Sequence, residues 1–169
     1  MTKLRRVEAR DIAVLEQQYA DPAQAGPQGW FGFSDAGRLR RRLQAGELLT
    51  EDRGVLAVTD DDGELVGEVS WHRWFNGPPP QGGCWNLGIW IRPEHRGKGH
   101  GTEAQRLGAA YLFDHHFLER VEAGTELDNV AEQRALEKAG FTREGVLRKA
   151  CFRDGEWRDM VIFSKLRGE

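Results

Sequence analysis

The chain has 169 residues and a net charge of −3, with 39% hydrophobic and 30% charged side chains. That suits one domain, residues 1–169, around a single core; it excludes a disordered or membrane-spanning chain and argues against non-specific nucleic-acid binding as the main activity. The N-terminus Met-Thr-Lys-Leu-Arg-Arg lacks a signal peptide's apolar stretch, and Cys84 and Cys151 have no C-x-x-C spacing, so a cytoplasmic protein with free thiols is expected.

In chain order, residues 5–8 predict a short strand. Asp11 is placed to cap a helix carrying Ile12, Leu15 and Tyr19 on one face. Residues 21–33 read as a loop by their Pro and Gly content, with Trp30, Phe31 and Phe33 inside it. Ser34 is expected to cap a second helix, with Leu39 and Leu43 inward and Arg38, Arg40, Arg41 and Arg42 as its solvated face. Two strands, 55–59 and 65–71, flank an Asp-Asp-Asp-Gly turn. A Pro/Gly-rich loop, 76–83, precedes a strand at 85–91. Thr102 and Gln105 have the spacing of a capping box opening a helix that runs to about Phe117. A strand at 120–127 and a helix at 130–139 follow, the helix stopped by Gly140. Strands 146–153 and 157–165 flank Asp154-Gly155, a tight-hairpin signal. The order implies an α/β (α+β) protein, helices packed on a mixed, mainly antiparallel sheet.

The segment Leu87–Thr102, LGIWIRPEHRGKGHGT, carries the chemistry. A period-two apolar run breaks at Pro93 into a basic loop with Gly97, Gly99 and Gly101, and a helix follows at once. Glycines let backbone N–H groups converge on one point, and the helix start adds free N–H donors and a positive dipole end. With charge from Arg96, Lys98 and His100, this is a site for a pyrophosphate or a similarly dense anion. A P-loop requires Ser or Thr after its Lys, and Gly99 stands there; a dinucleotide fingerprint requires G-x-G-x-x-G, and the spacing here is G-x-G-x-G. A solvated basic turn is the bland alternative. The five histidines, His115-His116 included, show no metal-ligand spacing, so no metal is expected.

Arg96-Gly-Lys-Gly-His-Gly101 resembles the acyl-CoA loop, Arg/Gln-x-x-Gly-x-Gly/Ala, of the GNAT N-acetyltransferases. Asp128-Asn129 through Gly140-Phe141 is similar to that superfamily's second signature. Residues 145–166 resemble the closing hairpin of its ribosomal-protein N-acetyltransferase branch. The resemblance covers roughly the C-terminal half. It implies the GNAT acyl-CoA N-acyltransferase fold and acetyl transfer from acetyl-CoA, a co-substrate, to a primary amine: a peptide or protein N-terminus, or a small molecule. By the resemblance, pantetheine would run along the main chain of Ile89, Trp90 and Ile91, and the pyrophosphate would sit on Arg96, Gly97, Lys98, Gly99, His100, Gly101 and Thr102. Asn129 would bond the pantetheine arm, or act as a helix cap, or both. Trp30, Phe31 and Phe33 would lie where relatives bind the acceptor, or would plug the core.

Two departures bear on catalysis. Relatives often begin the strand before the loop with a Glu that serves as base, and Asn86 stands here; Glu68 and His72 on the preceding strand are the remaining candidates. Relatives also tend to carry a Tyr after the second signature, and this chain has none after Tyr111. A non-catalytic acyl-CoA sensor on the same fold is therefore the second reading, and a phosphate- or nucleic-acid-binding module a distant third. Homodimers are common in the family, but the sequence does not set the oligomeric state or name the acceptor.

Overall fold

In a computed structural model, which describes residues 1–79 and 82–169, seven strands form one sheet in the order β1-β2-β3-β4-β5-β7-β6. The strands are β1 (Lys3–Arg6), β2 (Arg53–Thr59), β3 (Leu65–Phe75), β4 (Gly83–Ile91), β5 (Arg120–Glu126), β6 (Thr142–Arg153) and β7 (Glu156–Leu166). All neighbours are antiparallel except β4 and β5. The mixed α+β architecture is thus the one the residue pattern implies.

Helices cover both faces. Short turns α1 (Ile12–Leu15), α2 (Gln17–Ala20) and α3 (Pro22–Ala25) and the helix α4 (Arg38–Gln44) hold a cluster of Ile12, Leu15, Leu39, Val55, Ala57 and Trp90. The long helix α5 (His100–His115) and α6 (Val130–Lys138) cover a larger cluster that includes Val69, Leu87, Ala104, Leu112, Val121, Leu136 and Phe163. Successive residues of a strand point to opposite faces, so Val55 and Ala57 enter one cluster while Leu56 and Val58 enter the other. Burying both faces is what the apolar run of β2 and β3 signals.

Several helix starts differ from expectation, each for a local reason. The Asp11 carboxylate takes two bonds from Arg5, at 2.6 and 2.8 Å, and one from the Glu8 N–H at 2.8 Å, closing a 3-10 turn over Ala9–Asp11 instead of capping α1. Asp21 does cap, accepting from Ala23 N–H at 2.8 Å with Pro22 in the first helical position, which puts a helical turn where Pro and Gly content reads as loop. The second helix begins at Arg38 after Gly37, so Ser34 caps nothing. Thr102 already lies inside α5, whose N-cap is Gly99, and Gln105 reaches across to α6 instead of back to the cap. β6 begins at Thr142, earlier than expected, and its register with β7 shifts between Leu147 and Cys151 around Lys149, which has φ 51. Asp154 and Gly155 both have positive φ, as a two-residue hairpin demands. Pro80 and Gln81 of the expected 76–83 loop lie outside the described residues.

Candidate active site

The parallel strands β4 and β5 pair only at Trp85–Val121 and Asn86–Glu122 and then separate. Into the gap opens a cavity of about 840 Å³, lined by Leu87–Ile91 of β4 and Ala123–Glu126 of β5. Both strands end beside it and both following helices begin there, so two helix N-termini face one crevice at the carboxyl ends of parallel strands. That is where open α/β sheets place ligands. The main chain of β4 is available in the gap. Arg92 N–H bonds the Val66 carbonyl across β3, so by the two-residue alternation of an antiparallel ladder Trp90 and Gly88 also face β3. Ile89 and Ile91 then turn their N–H and C=O groups toward the gap. Trp90 meets the cavity by its side chain and donates its indole N–H to the Gln24 carbonyl at 2.9 Å.

At one end of the cavity lie Gly97, Gly99, His100, Gly101 and Thr102. Gly97 and Gly99 have φ 73 and 87, and a Cβ added to either meets nothing within 4 Å. These glycines are needed for their left-handed backbone, and the space beyond them is open for a ligand to approach the N–H groups of α5. Arg96 differs from expectation. Its Nε donates to the Ile91 carbonyl at 2.9 Å, and Nη2 donates to the Gln24 carbonyl at 3.1 Å, so the side chain ties the loop to α3 instead of serving as mobile charge. Lys98 is exposed and does not line the cavity. Arg134 and Lys138, one helical turn apart on α6, do line it. Their i, i+4 spacing is the sequence signal that could have found them together.

On the floor, Gln105 is 1% exposed and donates to Glu132 at 2.5 Å, while its Oε1 has no partner among the described residues. Burial pushes the Glu132 carboxyl up to about 7. Asn129 caps α6, accepting from Glu132 N–H at 3.3 Å and donating to Thr125 Oγ1 at 2.9 Å, and it also lines the cavity.

The opposite end is lined by Gln18, Tyr19, Gln28 and Phe31. Of the three loop aromatics Phe31 alone lines the cavity; Trp30 and Phe33 pack edge to face at 5.2 Å beside it, with Phe33 fully outside the core. Behind Tyr19 lies Glu68, on the same face of β3 as α1–α4 and 5% exposed. Burial raises its carboxyl to about 7, although the Gln18 amide, the Tyr19 hydroxyl and the Arg42 and Arg38 charges favour the ionised form. Burial also lifts Tyr19 to about 12, so its hydroxyl stays neutral. The other two candidates sit apart from this place. His72 is exposed across from Arg53 and Asn86, and Asn86 lies where β4 and β5 still pair, outside the cavity lining.

The cavity wall is completed by a contact that residue order does not signal. Arg153, at the hairpin tip, bonds both oxygens of the buried Glu126 at 2.5 and 2.6 Å and also donates to the Pro27 carbonyl. It joins the C-terminal hairpin, β5 and the loop after α3. Cys151 lines the cavity nearby, its thiol raised by burial and therefore protonated near neutral pH. Among the described residues, no group of three His, Cys, Asp or Glu side chains is placed to hold a metal ion.

Residues 2–142 match the sequence model of the acetyltransferase (GNAT) domain family. The chain belongs to that family. It is an N-acetyltransferase. The Bacillus subtilis probable N-acetyltransferase YjcK is 34% identical over 138 residues, which cover 79% of this chain and 74% of that protein. Ribosomal-protein-S5-alanine acetyltransferase from Vibrio fischeri shares the fold with a TM-score of 0.80 at 22% identity, over 99% of this chain and 94% of that one. Spermidine N-acetyltransferase from Vibrio cholerae, solved with CoA and spermine, superposes with a TM-score of 0.76 at 21% identity, over 98% and 95% of the two chains. No helix among the described residues is long and apolar enough to cross a membrane.

Proposed function

We propose that this single-domain protein transfers the acetyl group of acetyl-CoA to a primary amine by direct attack, the amine belonging to a peptide or protein N-terminus or to a small molecule. One observation carries the reading: the gap between β4 and β5 joins the α5 N-terminus at one end to Tyr19, with Glu68 behind it, at the other. The Vibrio cholerae neighbour binds CoA, and residues here fit the same ligand. The N–H groups of Gly97–Thr102, with Arg134 and Lys138, suit the phosphates; the free N–H and C=O groups of Ile89 and Ile91 suit pantetheine; Asn129 offers a further polar contact.

Acetyl-CoA supplies an activated acyl group, so the chain's own residues need only orient, desolvate and move protons. An alkylammonium has a pKa of about 10 and must lose a proton before it attacks. Tyr19 lies between the cavity and Glu68, and its neutral hydroxyl passes that proton to the carboxylate. The amine nitrogen forms the new C–N bond as the C–S bond breaks, and the leaving thiolate is protonated from solvent. Cys151 is placed near enough to be an alternative donor, but a small half-buried thiol is the simpler reading. Cys151→Ser should therefore keep most of kcat. A drop of about a hundredfold with acetyl-CoA affinity intact would make the thiol a general acid.

The direct test is release of free CoA, followed with a thiol reagent, on a panel of peptides, amino acids, aminoglycosides and polyamines. Turnover with at least one amine is expected. Tight acetyl-CoA binding with no turnover on any amine would instead mark a sensor.

A further inference from the structure

Arg38, Arg40 and Arg41 of α4 are exposed, as expected, and Arg42 is half-buried, but the four differ in their partners. Arg40 pairs with Glu16 at 2.9 Å, and Arg41 pairs with Asp35. Arg38 and Arg42, four residues apart and so on one side of the helix, have no carboxylate within salt-bridge distance among the described residues. Arg38 turns toward the Tyr19 end of the cavity, and Arg42 follows it one helical turn on. The Arg38 guanidinium lies 5.5 Å from the Tyr19 ring centroid, and half-buried Arg42 donates to the Glu47 carbonyl, at 2.9 and 3.2 Å. Arg53, the first residue of β2, stands two residues before Val55 and so on the face that packs α4, likewise with no carboxylate within salt-bridge distance among the described residues. Burial, then Arg53, then Arg38 lower the Arg42 pKa, so the three charges act on one another. The acidic group beside them on the sheet is Glu68, itself buried behind Tyr19.

Three like charges held together in a protein of net charge −3 repel one another unless an anion joins them. A guanidinium fork matches carboxylate or phosphate oxygens in two-point contact, and Arg38 brings one such fork against Tyr19, which lines the cavity. We propose that Arg38, Arg42 and Arg53 form an anion subsite, and that the acceptor is an amine whose own molecule carries a carboxylate or phosphate, held with its amino end toward Tyr19. The subsite rests on the acetyltransferase reading above for its geometry and narrows its substrate class. It discriminates against polyamines, whose second and third ammonium groups would meet the same arginines.

The experiment uses matched amines with acetyl-CoA: an α-amino acid against its amide, phosphoethanolamine against ethanolamine, and a peptide with Asp next to its free amino end against the Asn peptide. Spermidine is the all-cationic control. The anionic member of at least one pair should exceed its neutral partner in kcat/KM by about tenfold to a hundredfold, the effect of one hydrogen bond between charged groups. The three pairs separate carboxylate from phosphate and small acceptors from peptides. Arg38→Gln and Arg42→Gln should bring the two members together while the KM for acetyl-CoA stays put, and neither should lower the unfolding midpoint. Turnover that favours neutral amines or spermidine, or a preference that survives both variants, overturns the subsite and leaves the transferase reading intact. Calorimetric titration of the same amines into the CoA-saturated protein covers the remaining case. Anionic amines that bind without turnover, and lose binding in the variants, keep the subsite and remove the transferase; no binding and no turnover removes both.

Discussion

Gly99→Val should yield a folded protein that no longer binds acetyl-CoA. Gly99 caps α5 in the left-handed region, with φ 87. A β-branched residue there costs roughly 1–2 kcal/mol, which in a chain of this length lowers Tm by about 2–8 °C. The larger effect is on the ligand. Beyond its chain neighbours, no atom of the described residues lies within 4 Å of the added Cβ, so the valine occupies the space through which a pyrophosphate would reach the α5 N–H groups. A saturating ligand seen only by the native state raises stability, by about 2.7 kcal/mol at a hundred times its Kd. The wild type should show that gain with acetyl-CoA and the variant should not. Wild-type affinity for acetyl-CoA in a calorimetric titration of Gly99→Val would remove the loop from the binding site.

Glu68→Gln should lose activity and gain stability, with a pH dependence that ties the two together. As proton acceptor Glu68 must be ionised, so wild-type kcat/KM should rise with pH through about 7. The variant should fall about a hundredfold to ten-thousandfold, the usual contribution of a general base, while still binding acetyl-CoA. The sign of the stability effect follows from linkage. A folded-state value of about 7 against 4.5 means that the native state holds a proton the unfolded chain has already lost, so stability is highest below pH 4.5 and declines as pH rises through 7. At roughly 1.4 kcal/mol per unit that difference amounts to about 3–4 kcal/mol above pH 8. Glutamine carries no such charge. The two proteins should therefore melt alike below about pH 4.5, diverge progressively between pH 4.5 and 7, and differ by a constant amount above pH 8, with the variant the more stable. Glu132, which titrates in the same range, is common to both and cancels. Equal melting curves at pH 8, or a variant with wild-type kcat/KM, would show that Glu68 is neither a buried charge nor the proton acceptor.

Local chemistry was legible in the sequence. The period-two run from Leu87, the glycines at 97, 99 and 101, the Asn129 cap and the Asp154-Gly155 turn each act within a few residues, through backbone conformations that side-chain type alone dictates. They placed the strand, the anion loop, the second helix and the hairpin, and together they carried the family resemblance. The tertiary structure decided what lies beside them. Residue type alone presents Arg96 as a free charge, because its partners, the Gln24 and Ile91 carbonyls, belong to main chain that no side-chain pattern exposes. The arginine run on α4 looks uniform in sequence, and only its neighbours Glu16 and Asp35 divide it into paired and unpaired members. Glu126 and Arg153 stand far apart in the chain, and Tyr19 and Glu68 likewise; nothing local couples either pair. The cavity itself depends on β4 and β5 meeting in parallel at one end and parting at the other. Such a gap is a property of two strands and their twist, and no single segment encodes it.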